Sequence, residues 1–122
     1  MKETTRVLKG FFGSFGIPAY SKNNIPDGVA MPYITYEVKN PAPLSRTLLH
    51  AWVFYRGTTL TDILAKCDEI EAAVRDGVSV QTDTGAVRLF LDDSTPFAQE
   101  QPDPDKNVRA MYLTMILHAN TR

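Results

Sequence analysis

The 122-residue sequence predicts a single α+β domain, a mainly antiparallel sheet with two helices packed on one face, in the order α-(β)-β-β-α-β-β-β. Three observations carry that expectation. Two segments place apolar residues at helical spacing, several others are short, β-branched and aromatic, and all 8 prolines fall outside these periodic segments. A chain of this length, 43% hydrophobic, buries roughly two thirds of its unfolded surface on folding. Residues 1–122 therefore read as one domain whose core needs neither disulfide nor metal.

The first helix is expected over residues 2–15, where Val7, Leu8, Phe11, Phe12 and Phe15 form one broad stripe. Gly16 suits the left-handed position after a helix end, and Pro18 cannot continue the helix. Gly10 and Gly13 weaken it by about 1 kcal/mol each against alanine, and their missing side chains leave room for another backbone to come close. A short extended piece follows at Pro18 to Tyr20. Residues 21–32 read as a loop, and Tyr33 to Val38 (YITYEV) as a strand. A second proline-punctuated loop, 39–47, leads to a strand at Leu48 to Arg56. Both of its alternating sets are mostly apolar, as in a central strand or one whose outer face a partner covers.

The clearest helix has Leu60, Ile63, Leu64, Cys67, Ile70 and Val74 on one side, Thr59 as its expected cap and Gly77 as its stop. Val78 to Gln81 and Ala86 to Leu91 flank the turn Thr82-Asp83-Thr84-Gly85, a hairpin pattern. Residues 92–107 form the longest run without periodicity. The last element, Val108 to His118, alternates as a long strand.

Charge excludes several function classes. Thirteen basic and fourteen acidic side chains give a net charge of -1, so no global pull draws the chain to nucleic acid or to acidic membranes. The balance is uneven along the chain: residues 1–46 carry six bases and three acids, +3, and the rest seven bases and eleven acids, -4. One cysteine excludes an internal disulfide and a CxxC site. The apolar patch at Val7 to Phe15 is too short and broken for a secretion signal or membrane span, so a cytosolic location is expected.

No catalytic constellation is visible, and the chain is not expected to be an enzyme. His50 and His118 lie within strands, without an acid or cysteine at ligand spacing, and read as structural or surface histidines. Cys67 sits on the apolar stripe and reads as core. Asp103, Asp105 and Asn107 have the alternation of a calcium loop, but Pro104, Val108 in place of the turn glycine and Thr114 in place of the closing glutamate break the pattern. No phosphate-binding glycine motif occurs, and no cofactor is expected. The aromatic residues Tyr33, Tyr36, Trp52, Phe54 and Tyr55 on two strands suit a core and subunit interface. A single-stranded nucleic-acid binding module that stacks bases on them is the alternative from another class.

The run GIPAYSKNNIPDGVAMPYITYEV at 16–38 follows a short amphipathic helix. With the apolar strand at 48–56, the TLTDIL helix start and the long last strand, it resembles the tail terminator or tail completion proteins of long-tailed bacteriophages and prophages. The similarity in element order spans nearly the whole chain, and no catalytic pattern comes with it. It implies a homo-oligomeric ring, typically a hexamer, that caps the tail tube, with the tail tube protein on one side and the head-tail connector on the other. A head-tail joining or neck protein is the nearest alternative. The same resemblance implies assembly in the host cytoplasm and a final place in the virion, with neither membrane nor specific nucleic acid as partner. The interface residues expected within it are Lys39, Arg46, Trp52, Tyr55, Asp92, Asp93, Asp103 and Asp105, with loop 92–107 carrying assembly or facing the channel.

Overall fold

The computed structural model describes residues 2–38, 46–82 and 85–121. Its elements are α1 (Lys2–Gly13), β1 (Ala19–Ser21), β2 (Tyr33–Val38), β3 (Arg46–Arg56), α2 (Thr61–Arg75), β4 (Val78–Gln81), β5 (Gly85–Leu91), β6 (Ala98–Gln101) and β7 (Val108–Thr121). The α+β class, the mostly antiparallel sheet and the helix pair on one face are as the sequence predicts.

β7 organises the sheet. One of its edges takes β3, in register from Arg46↔His118 to Arg56↔Val108. Its other edge is divided: β5 pairs along 115–121, and β6 pairs along 110–113. The full order is β1-β2-β3-β7-β5-β4, with β6 beside β7. β1 runs parallel to β2, and the intervening residues 22–32 supply the crossover that a parallel pair needs.

Strand β6 corrects the expectation for 92–107. That segment is a short excursion at 92–97, then Ala98–Gln101 hydrogen-bonded to β7, then a loop at 102–107. Its sequence, AQEQ, lies mostly exposed, so side-chain burial leaves no periodic signature. The backbone ladder to β7 makes it a strand. The helix and strand limits shift too: α1 ends at Gly13, β3 begins at Arg46, and β7 continues to Thr121. The expected Thr59 cap is not made. Leu60 occupies the N-cap without a side-chain bond, and its carbonyl accepts the Leu64 N–H.

Strand pairing sorts the side chains into two faces. Leu49, Ala51 and Val53 of β3 point the same way as Ile34 and Tyr36 of β2, Met111, Leu113 and Met115 of β7 and Leu89 of β5. On this side lie Leu8 and Phe12 of α1, and Ile63, Cys67, Ile70 and Val74 of α2, in one buried cluster. Each fully buried aliphatic or aromatic side chain contributes about 1.5–3 kcal/mol. Phe12 stacks on Tyr36 at 5.2 Å. α1 also lines a groove with β4, at the opposite end of the strand order, so the sheet curls around the helix layer.

Gly77, at φ 96°, follows the C-cap of α2 as expected, whereas Gly16, left-handed at φ 85°, stands three residues beyond Gly13, where α1 already ends. The close backbone approach expected at Gly10 and Gly13 is absent. A Cβ at either position would meet nothing within 4 Å. The α2 stripe is narrower than the sequence suggests, since Leu64 is 43% exposed while Ile63, Cys67, Ile70 and Val74 are buried. Among the described residues, no helix is long and apolar enough to cross a membrane.

Candidate interaction face

Among the described residues, the second face of the sheet carries no helix. The pairing puts Tyr33 opposite Phe54, Thr35 opposite Trp52, and Glu37 opposite His50. Continuing across β7, His50 faces Thr114, Trp52 faces Tyr112, and Leu48 faces Ile116. Phe90 of β5 lies beside Ile116. This face is strongly aromatic.

Its rings hold one another. Tyr33 contacts Tyr20 at 6.1 Å and Phe54 at 5.1 Å, and Trp52 contacts Tyr112 at 5.2 Å. Tyr112 stacks on His50 at 5.0 Å, and its hydroxyl shares a hydrogen bond with His50 Nδ1. Trp52 Nε1 donates to Gln101 Oε1 of β6 at 3.1 Å, and the Lys22 ammonium lies 4.2 Å from the Trp52 ring. His50 is 6% exposed, and Thr35 and Thr114 are buried on the same face. Trp52, Phe54, Tyr33 and Tyr112 remain half-exposed. An ordered aromatic surface has already lost much of its rotamer entropy, so docking a partner there costs less.

Cations rim the face. Lys22 and the exposed Arg56 and Arg88 stand on it, against Glu37 and Asp105. Asp105 is bound 3.7 Å from Arg56. On α2 the balance is reversed, with four acids against two bases. The bases of α2 are held by its own acids, Lys66 by Glu69 at 3.2 Å and Arg75 by Glu71 at 2.7 Å. Asp68, and Asp76 just past the end of the helix, are exposed acids on its outward side.

The sequence-predicted interface residues are not brought together as a set. Trp52 lies at the centre of the helix-free face. Tyr55 has the opposite parity, pairs with Arg109 and packs against the core beside α2, where burial, then Asp62 and Glu69, raise its hydroxyl pKa. Arg46 opens β3 opposite His118. Lys39 and the turn residues Asp83 and Thr84 lie outside the described residues. Asp92 accepts bonds from the Ser94 N–H and the Ser94 and Thr95 hydroxyls, which lower its pKa, and Asp93 beside it is exposed. Asp103 and Asp105 each close a turn by accepting the N–H two residues on, at 2.9 Å. His50 and Tyr112, like Lys22 and Arg88, belong to this face without standing out in the sequence. For His50 and Tyr112 the only available signal was their place at matched parity on two apolar strands, which becomes informative once the register is known.

A groove of about 470 Å³ separates α1 from β4, lined among others by Arg6, Val7, Phe11, Val78 and Val80. Cys67 is 3% exposed, and burial first, with Asp68 and Glu71 behind it, pushes its thiol up to about 12. Among the described residues, no group of three or more His, Cys, Asp and Glu side chains could hold a metal ion. No protein-family model matches the chain, and no curated protein is detectably similar to it in sequence.

Proposed function

We propose that this chain is a structural protein of a long-tailed phage, a tail terminator that forms a ring, caps the tail tube and meets the head-tail connector. The observation that supports it is the helix-free aromatic face. A sheet normally buries such a face against another layer, and none of the described helices lies over it. A self-assembling protein has a use for that surface, since aromatic side chains anchor interfaces.

The resemblance in the 16–38 segment and in element order supplies the particular assembly. Native mass spectrometry of the full chain, with electron microscopy of tails made without it, tests the proposal. The expected results are a closed homo-oligomer, typically a hexamer, and tails of uncontrolled length. A strictly monomeric chain together with tails of normal length would sink the idea. Labelling the protein in purified virions separates a place on the tail end from one in the neck.

A further inference from the structure

Resting on the self-assembly reading, we infer that the acidic outer face of α2 in one copy docks on the helix-free aromatic face of the next. The two surfaces lie on opposite sides of the same sheet. α2 is fixed to the helix side by Ile63, Cys67, Ile70 and Val74. Its exposed ridge of Leu64, Ala65, Asp68 and Ala72 therefore points away from the sheet. A contact between unlike surfaces of two copies is heterologous, and it closes into a ring when the rotation per copy divides the circle.

Charge complementarity selects this occupant. The bases of α2 are paired within the helix, and its outer ridge offers Asp68, with Asp76 just past its C-terminal end. The aromatic face offers Lys22, Arg56 and Arg88 against Glu37 and Asp105, of which Arg56 and Asp105 are paired with each other. Opposed charge also steers the encounter of two copies and fixes its register. The apolar components match as well. Leu64, 43% exposed on α2, and Leu48, 41% exposed on the aromatic side, are among the large hydrophobic residues exposed in the described part of the chain. Ala65 and Ala72 flank Asp68 with little bulk, so the helix can approach half-exposed rings such as Trp52 and Phe54. The chain already packs α2 on the other face of this sheet, and the proposed contact repeats helix-on-sheet packing between molecules.

The test uses the full chain at low ionic strength and two charge-reversal variants, Leu64→Lys/Asp68→Lys on the helix and Lys22→Glu/Arg88→Glu on the sheet. All four positions are exposed or at the rim, and the milder D68K and R88E replace either double variant if it does not fold. Each variant alone is expected to weaken association roughly a hundredfold or more, because it sets like charges against each other. An equimolar mixture is expected to recover the native oligomer with the two variants alternating. Every contact in that mixture joins either a lysine-bearing helix to a glutamate-bearing sheet or the native pair. Native mass spectrometry reads the alternation directly.

Oligomers that persist in each variant alone would overturn the surface assignment while leaving self-assembly in place. Loss of association in both without recovery in the mixture would overturn the pairing of these two faces. A native chain that is monomeric at every concentration would remove the self-assembly reading and this inference together. Retardation of a single-stranded oligonucleotide by a monomeric native chain, lost in K22E/R88E, would assign the face to that ligand instead.

Discussion

Two glycine-to-alanine substitutions, at Gly10 and Gly77, are expected to move stability in opposite directions. Gly10 lies inside α1, and a Cβ there would meet nothing within 4 Å. Alanine adds no overpacking and gains the helix-propensity difference, about 1 kcal/mol. Gly77 also has open space for a Cβ, but its φ of 96° is a conformation that L side chains rarely adopt. Alanine there costs roughly 1–2 kcal/mol. The reduced entropy of the unfolded chain acts on both variants alike, so it largely cancels in their difference.

The expected separation is about 2–3 kcal/mol. At roughly 3–6 °C per kcal/mol for a chain of this length, Gly10→Ala should unfold at least about 6 °C above Gly77→Ala, with the native chain between them. Thermal unfolding followed by circular dichroism, at equal protein concentration, measures this. A fall in Tm for Gly10→Ala would show that α1 does not run unbroken through residue 10, or that the groove wall there is filled. A rise for Gly77→Ala would refute the left-handed stop of α2.

Cys67 and the aspartates of the last loop give the remaining predictions. With its thiol raised from the ordinary 9.0 to about 12, Cys67 should resist thiol reagents near neutral pH in the folded chain and react once the chain is unfolded. Its contribution to stability is complete below pH 9 and is lost as pH rises towards 12, at about 1.4 kcal/mol per pH unit. Denaturant titrations over that window should show a shallower fall for Cys67→Ala, and equal slopes would refute the buried-thiol account. Replacing Asp103 and Asp105 together by lysine removes two turn-closing bonds and an exposed ion pair. A loss of about 1–2 kcal/mol with unchanged circular dichroism is expected, and unfolding of the double variant would show that the loop belongs to the core.

Much of the fold was legible because burial imposes a period on the sequence. Ile63, Cys67, Ile70 and Val74 are buried along α2, and Leu8 and Phe12 along α1, each within its predicted stripe. The four-residue β6 was not legible. Three of its four residues are exposed, and what holds it is backbone hydrogen bonding to β7 at residues 110–113. Leu64 misled for a related reason: periodicity marks a broad stripe, while the width actually covered depends on how the helix lies on a curled sheet. Tyr55 and Trp52 looked alike as aromatic residues of one strand, and pairing with β7 sends them to opposite faces.

The sequence by itself determined the class, the two helices, the long strands and the stop at Gly77, because each rests on local spacing or local backbone sterics. It also determined that β3 is apolar on both sides. Only the tertiary structure decided what that means. Register across more than fifty residues of chain places Leu49, Ala51 and Val53 under the helices and gathers Trp52, Phe54, His50 and Tyr112 on the face that no helix covers. Strand parity is a long-range choice, fixed by which side of the ladder closes on α1 and α2.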